Sequence, residues 1–528
     1  MDVYLQRALA DLSAAEVGPG TVLADAPLRM ALVYPSPYHV AMSSLGYLQI
    51  HRRANLRPET RCERAMLPPD ADTRQRHVVT RTPLSTVETQ RPVGDFHVVA
   101  FSQAYELEMT GIVQCLELAG LAPLAAERSA ADPLVVLGGP ITNSNPFPSA
   151  PFADVVVLGE GEGPLDALLD RLEARPEAAR GSAAARRALL DELAELPGFF
   201  VPRVHGDFLP PIAKASDDQL PAVSEIRTPH TELADMVLIE PERGCHRGCS
   251  FCVMRRSTNG GMRAVEPARV GALVPDDAPK VGLVGAAVSD HPRIKELLTE
   301  LVDVRRKRIG ISSLRADRLD DTFVGLLARG GYRSLTVALD APSARLRYAI
   351  EKNLKDRHIE AAAELARGNG LHHLKLYVVV GLPGETDADR RELVDFCLRL
   401  RKTIPVVLGV SPFVPKFHTP LAQAPFVGEK EAGRILSELH RALAGKVTVR
   451  GPGAREAYVE YRLSQGGYRH AAAAVAAARA GGTLAHWKRA LKDLPERVAP
   501  LNLADVTPSP TRRNPSRAFA GALPVVSS

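Results

Sequence analysis

The stretch Pro241-Glu242-Arg243-Gly244-Cys245-His246-Arg247-Gly248-Cys249-Ser250-Phe251-Cys252 sets the frame for the whole chain. Three of the six cysteines fall within eight residues, spaced C-x3-C-x2-C. They lie between an apolar run (236–239) and a basic segment holding Arg255, Arg256 and Arg263. Three thiolates on one short loop suit an iron–sulfur cluster with one iron left unligated by protein. An open position of that kind is what a catalytic metal centre keeps. Zinc is the second reading, but a structural zinc wants four ligands, and the only neighbouring donor, His246, sits awkwardly between two of the cysteines. An inert trio of thiols comes third.

Outward from this loop, short apolar runs alternate with helical patterns. Strands are expected at 236–240, 280–284, 308–312, 334–338, 374–380 and 406–411, and helices near 292–306, 320–329, 344–351, 357–368 and 387–403. Six such repeats make either a second doubly wound sheet or part of a β/α barrel, with ligands at the strand C-terminal ends. The cysteine loop directly follows the first strand of this series, where barrel chemistry resides.

Toward the N-terminus the same alternation occurs once more. Strands are expected at 30–34, 96–102, 133–137 and 153–158, the last two ending in Gly138-Gly139-Pro140 and Gly159-Glu160-Gly161-Glu162. Continuous apolar strands of this kind belong to a parallel sheet covered on both faces. Glycines at the strand C-termini mark the edge where such sheets bind ligands, so Gly139, Gly159 and Glu160 are candidate cofactor contacts.

The expected organisation is an α/β chain in six parts. An N-terminal helix and loop (1–27) precedes a doubly wound, flavodoxin-like domain (28–175) and a helical, Pro-rich linker (176–230). A partial (β/α)6 barrel of TIM type (231–428), a helical C-terminal region (429–500) and a disordered tail (501–528) follow. At 528 residues, 45% hydrophobic and 24% charged, the composition is that of a globular protein. A net charge of +5 is small for this length, so a nucleic-acid partner is not indicated. No apolar run reaches the roughly 18–20 residues of a bilayer span, so no membrane insertion is expected. The first residues lack the apolar core of a signal peptide, and six cysteines make no disulfide framework; a cytoplasmic location is expected.

Behind these residues the sequence resembles the radical S-adenosylmethionine (SAM) enzymes, whose signature is C-x3-C-x-aromatic-C after the first strand of a β/α series. The resemblance implies a 4Fe-4S cluster on Cys245, Cys249 and Cys252, with SAM chelating the fourth iron through its amino and carboxylate groups. Phe251 matches the aromatic position near the adenine. Where the family carries Gly-Gly-Glu for the SAM amine, this chain has Gly285-Ala286-Ala287, which leaves the amine acceptor unassigned. Ser312 and Arg315 follow the third strand, Asp340 stands where relatives commonly carry Glu, and Arg345 matches the partner of the SAM carboxylate. Gly381 opens the Gly381-Leu382-Pro383-Gly384-Glu385 turn after the fifth strand.

The first domain resembles the cobalamin-binding domain that precedes the barrel in one large branch, although the cobalt-ligating Asp-x-His-x-x-Gly is absent around His39. Cobalamin is therefore a candidate cofactor beside the cluster and SAM, and the reductant implied is a flavodoxin or ferredoxin. The reaction implied is hydrogen abstraction from an unidentified substrate by a 5′-deoxyadenosyl radical, with cobalamin-dependent radical methylation as one outcome. A methylthiotransferase acting on RNA or protein is an alternative, but it needs three N-terminal cysteines and only Cys62 and Cys115 precede the triplet. A non-enzymatic cobalamin- or nucleotide-binding sensor is the third reading, and the complete triplet argues against it. Lys352, Lys416 and His418 are read as loop residues at the barrel mouth, no more than candidate contacts for an anionic group.

Overall fold

Strand β1 (Leu28–Tyr34) is flanked by β2 (Thr60–Met66) on one side and β3 (Val98–Ser102) on the other, all parallel. The sheet grows through β4 (Leu134–Gly138) and β5 (Val155–Val157) and ends on β6 (Phe199–Phe200), which runs antiparallel to β5. Its order, β2-β1-β3-β4-β5-β6, is a doubly wound one of flavodoxin type with its switch point between β1 and β3. The computed structural model describes residues 2–18, 26–254 and 261–497. Arg255 and Arg256 of the basic segment, and the tail expected at 501–528, lie outside the described residues.

The chain divides into two compact units. The first is the run ending at Ile239 together with a return segment beginning at Gln465, and the second spans Glu240–Ser464. This division departs from the expected boundaries near 231 and 429. The C-terminal helices are shared out, with Glu429–Leu443 and Ala454–Ser464 in the second unit and His470–Arg479 and Leu484–Ala490 in the first. The reason lies in side-chain size. The alanines of His470–Arg479 let that helix lie close along Met109–Leu118, where Arg479 pairs with Glu117 at 2.7 Å.

In the first unit sequence reading misses β2 and the two-residue β6. The residues of β2, Thr-Arg-Cys-Glu-Arg-Ala-Met, look like a charged surface segment, yet all seven are buried. Arg64 is held between Glu16 and Glu88, 2.6 Å from each, and His51 lies 3.2 Å from Glu88. Glu63 accepts from the hydroxyls of Thr86 and Thr89, both at 2.6 Å. Buried charge survives only where it is paired in this way. Burial works to raise the Glu88 carboxyl, but Arg64 and His51 outweigh it and hold it down at about 2.

The second unit carries the parallel pair β10 (Lys280–Leu283) and β11 (Arg308–Ile311). It also carries a four-stranded parallel sheet: β12 (Ser334–Ala338), β13 (His373–Val380), β14 (Val406–Pro412) and β15 (Thr448–Arg450). Before them come β7 (Met236–Ile239), which closes the first unit's run, and the antiparallel pair β8 (Glu242–Gly244) and β9 (Met262–Ala264). The six strands expected here are all present, whereas β15 is an addition, three residues long inside a region read as helical. On β13 Leu374, Leu376, Val378 and Val380 are buried while the residues between them are less so, the period-2 pattern of a strand with one dry face. Each such side chain contributes about 1.5–3 kcal/mol on burial.

Candidate metal and cofactor site

The cysteine loop is tethered by its backbone. Ser250 donates its N–H to the Ile350 carbonyl at 3.1 Å, and its own carbonyl accepts from Leu421 N–H at 3.2 Å. Those anchors follow β12 and β14, so the loop is bound to the C-terminal ends of the strands. Phe251 packs there against an apolar cluster of Ala341, Leu346, Ile350, Leu382, Phe413 and Leu421. The ring thus sits among the residues that follow β12, β13 and β14.

The three thiols are half-buried and close enough to act on one another electrostatically. Burial pushes all of them up, Cys249 to about 11, and Lys352 works against the rise at Cys249. A metal cluster would supply the positive charge that removes those protons. Among the described residues no three Cys, His, Asp or Glu side chains converge as ligands of a single ion. His246 is turned to Asp290, 3.9 Å away.

Next to the loop the turn after β10 is built around Gly285. Its carbonyl accepts from Ser312 Oγ at 2.9 Å and Ser313 Oγ at 3.1 Å, and its N–H donates to Ser312 Oγ at 3.0 Å. A Cβ at this position would lie 2.2 Å from Glu242 Oε1, so only glycine fits. Glu242 is fully buried, and its Oε1 accepts from Ala287 N–H at 2.7 Å. Farther along, Asp290 joins Arg247 and Arg318, each at 2.8 Å. Burial works to raise its carboxyl, but the hydrogen-bonded guanidinium of Arg247 prevails and holds it below the usual range.

Two cationic groups are buried near the cysteines. Arg315 is 8% exposed, pairs with Asp317 at 3.0 Å and donates to the Lys352 carbonyl at 3.3 Å. Lys352 is ion-paired with Asp340, its side chain 8% exposed. Lys352 therefore lies buried against Asp340 rather than exposed at the barrel mouth. Asp340, Glu351, Asn353 and His418 all hold left-handed backbone (φ +53° to +64°), a conformation costly for non-glycine residues and concentrated at functional sites.

Arg345 stands apart from this group. Its guanidinium is 57% exposed and committed to Asp389 at 2.6 Å and to the Gly384 carbonyl at 2.9 Å. Arg345 thus pairs with the first turn of the helix Asp387–Leu400, whereas Arg315 and Lys352 are the buried cations near the cysteines among the described residues. Gly381 donates its N–H to Glu385 Oε2 at 2.7 Å, which fixes the turn after β13.

In the first unit Gly139 has φ +108°, and a Cβ there would lie 2.4 Å from the Gln103 carbonyl, at the β3–β4 edge. Gly159 and Glu160 have packing duties. Gly159 crosses the backbone of Ala213, and Glu160 accepts from Ala215 N–H at 2.7 Å. The Gln103 side chain, after β3, is wholly buried with its Oε1 unpartnered among the described residues.

Two family models match this chain: "Radical SAM proteins, N-terminal" over residues 46–202 and "Radical SAM superfamily" over 239–397, the latter spanning the cysteine loop and the turns around it. Together they cover more than half of its length. The chain belongs to the radical SAM superfamily. An uncharacterised protein of Methanocaldococcus jannaschii is 32% identical over 297 residues, 54% of this chain and 61% of that one. The ribosomal protein uS12 methylthiotransferase RimO of Chlorobium phaeobacteroides is 26% identical over 279 residues, 49% of this chain and 62% of the relative. The chain thus spans about three fifths of the length of these relatives. Among solved structures, the cobalamin-dependent SAM radical enzyme OxsB with aqua-cobalamin and SAM bound aligns at a TM-score of 0.47 and 13% identity, over 72% of this chain and 53% of the other. As a radical SAM protein the chain is mixed α/β with parallel sheets. No helix among the described residues is long and apolar enough to cross a membrane.

Sequence reasoning missed Glu242 and undervalued Lys352. Glu242 stands inside the quoted stretch, in Pro241-Glu242-Arg243-Gly244, and a glutamate two residues before the glycine that precedes a cysteine loop was a signal available for reading.

Proposed function

We propose that this chain is a radical SAM enzyme that holds a 4Fe-4S cluster on Cys245, Cys249 and Cys252 and abstracts hydrogen from a substrate yet to be identified. The observation that carries the reading is the triplet itself, tethered by Ser250 to the strand ends and surrounded by Phe251, Glu242, Arg315 and Lys352. When bound, the cluster supplies the electron that cleaves SAM to methionine and a 5′-deoxyadenosyl radical. The chain's own residues bind and orient: Phe251 offers an apolar ring for adenine, and Lys352 with Arg315 supplies positive charge for a carboxylate. The apolar cluster around Phe251 excludes water from the reacting atoms. The electron donor is a flavodoxin or ferredoxin. Anaerobic reconstitution tests the assignment. About four irons and four sulfides per chain are expected, with loss of most of them in each single Cys→Ala variant; a wild-type protein that binds one zinc instead contradicts it.

The first unit is proposed to take cobalamin at the switch point between β1 and β3, which supports radical methylation as the reaction. The buried, unpartnered Gln103 Oε1, just after β3, favours a ligand at the carboxyl ends of this sheet's strands. Uptake of hydroxocobalamin with a shifted visible spectrum is expected; an unshifted spectrum after gel filtration rejects it. The methylthiotransferase alternative is disfavoured by Cys62 and Cys115, both buried, with burial pushing their thiols far above the usual range. Two such thiols supply no second cluster.

A further inference from the structure

Glu242 is placed with a carboxylate half satisfied. Its Oε1 accepts from Ala287 N–H at 2.7 Å, while Oε2 is buried and has no hydrogen-bond partner among the described residues. Among the described residues no cation pairs with it: Arg243, its neighbour in sequence, pairs with Glu240 at 2.7 Å, and Arg247 with Asp290. A buried carboxyl oxygen left unmatched is costly and calls for a partner.

Its position narrows that role. Glu242 opens β8, three residues before Cys245. It also touches the Gly285-Ala286-Ala287 turn, where Gly285 leaves room for its Oε1. That turn has no acidic side chain of its own to meet an amino group. We propose that Glu242 accepts an N–H of the SAM α-amino group through Oε2, the carboxylate being supplied from β8 rather than from the turn after β10. The inference rests on the radical SAM reading of the site. It makes Glu242 a binding residue whose partner is an N–H donor, and gives Gly285 its reason: the turn must be bare for the carboxylate to lie against it. Burial also pushes Glu242 up to about 7.

The test compares wild type with Glu242→Gln and Glu242→Ala, each reconstituted anaerobically and titrated with SAM and with a SAM analogue lacking the α-amino group. Cluster content, read by iron and sulfide assay, is expected to stay at the wild-type level in both variants. SAM binding, measured calorimetrically, is expected to weaken about 10- to 100-fold, the worth of a buried charge-assisted hydrogen bond. The des-amino analogue is expected to bind all three proteins alike. Glu242→Gln keeps an oxygen for Ala287 N–H and loses the charge, so at pH 8 it is expected to melt no lower than wild type without SAM. That variant keeps the test open if Glu242→Ala fails to fold. Unchanged SAM affinity in Glu242→Gln, or an equal loss for the analogue, overturns the assignment. Failure of wild-type protein with a full cluster to bind SAM at all instead refutes the underlying radical SAM reading.

Discussion

Lys352 forms an ion pair with Asp340, and neither side chain is more than 15% exposed. Breaking a buried pair by removing one partner leaves an uncompensated charge and costs about 3–5 kcal/mol. Lys352→Met is therefore expected to lower the unfolding free energy by that order. The double variant Lys352→Met with Asp340→Asn should recover a large part of it. Denaturant titration of the four proteins checks the cycle; a double variant as unstable as the sum of its parents rejects the pairing.

Arg345 and Lys352 make opposite predictions for SAM. With its guanidinium committed to Asp389 and Gly384, Arg345→Ala is expected to leave SAM affinity within about 3-fold of wild type. Lys352→Met, which removes a buried cation beside Cys249, is expected to weaken it by 10-fold or more. Binding isotherms on reconstituted protein decide, and a strong loss at Arg345 with none at Lys352 reverses the assignment.

Gly285 is predicted to be intolerant of even one carbon. A Cβ 2.2 Å from Glu242 Oε1 overpacks the turn, so Gly285→Ala should destabilise by about 1–3 kcal/mol. Combining it with Glu242→Ala removes the opposing atom and should restore part of the melting temperature. Thermal melts of the three variants test this, and additive losses contradict it.

Acid stability follows from two depressed carboxyls. Glu88, against Arg64 and His51, and Asp389, against Arg345, Ser343 and Thr386, each sit at about 2 although burial alone would raise them. A carboxyl lowered on folding contributes stability that is complete above its unfolded value and is lost as pH falls through the folded one. Unfolding free energy is thus expected to decline from about pH 4.5 toward pH 2. Arg64→Met should shallow that decline while lowering stability at pH 7. A decline that keeps its wild-type slope in Arg64→Met contradicts the role given to Glu88.

Much of this molecule was legible in the sequence because its chemistry is local. The cysteine spacing, the six strands 236–240 to 406–411 and the glycine turns depend on neighbours in the chain, and each strand is present as expected. Strand β2 was hidden because its burial depends on Glu16, Glu88, Thr86 and Thr89, partners from distant segments that composition cannot pair with Arg64 and Glu63. Lys352 was underrated for the same reason: whether a lysine is solvated depends on where Asp340 is carried by β12. The pairing of Arg345 was hidden likewise, because Asp389 lies 44 residues on in the chain. Glu242 was passed over because a carboxylate reveals its significance only when one oxygen is seen to be buried without a partner.

The most direct test of the radical SAM reading is 5′-deoxyadenosine formation by the anaerobically reconstituted, dithionite-reduced protein, quantified by mass spectrometry. SAM-dependent formation in wild type, with none from Cys245→Ala, Cys249→Ala or Cys252→Ala, is the predicted result. Formation that survives in Cys245→Ala, or its absence from a wild-type protein carrying a full cluster and bound SAM, would contradict the account.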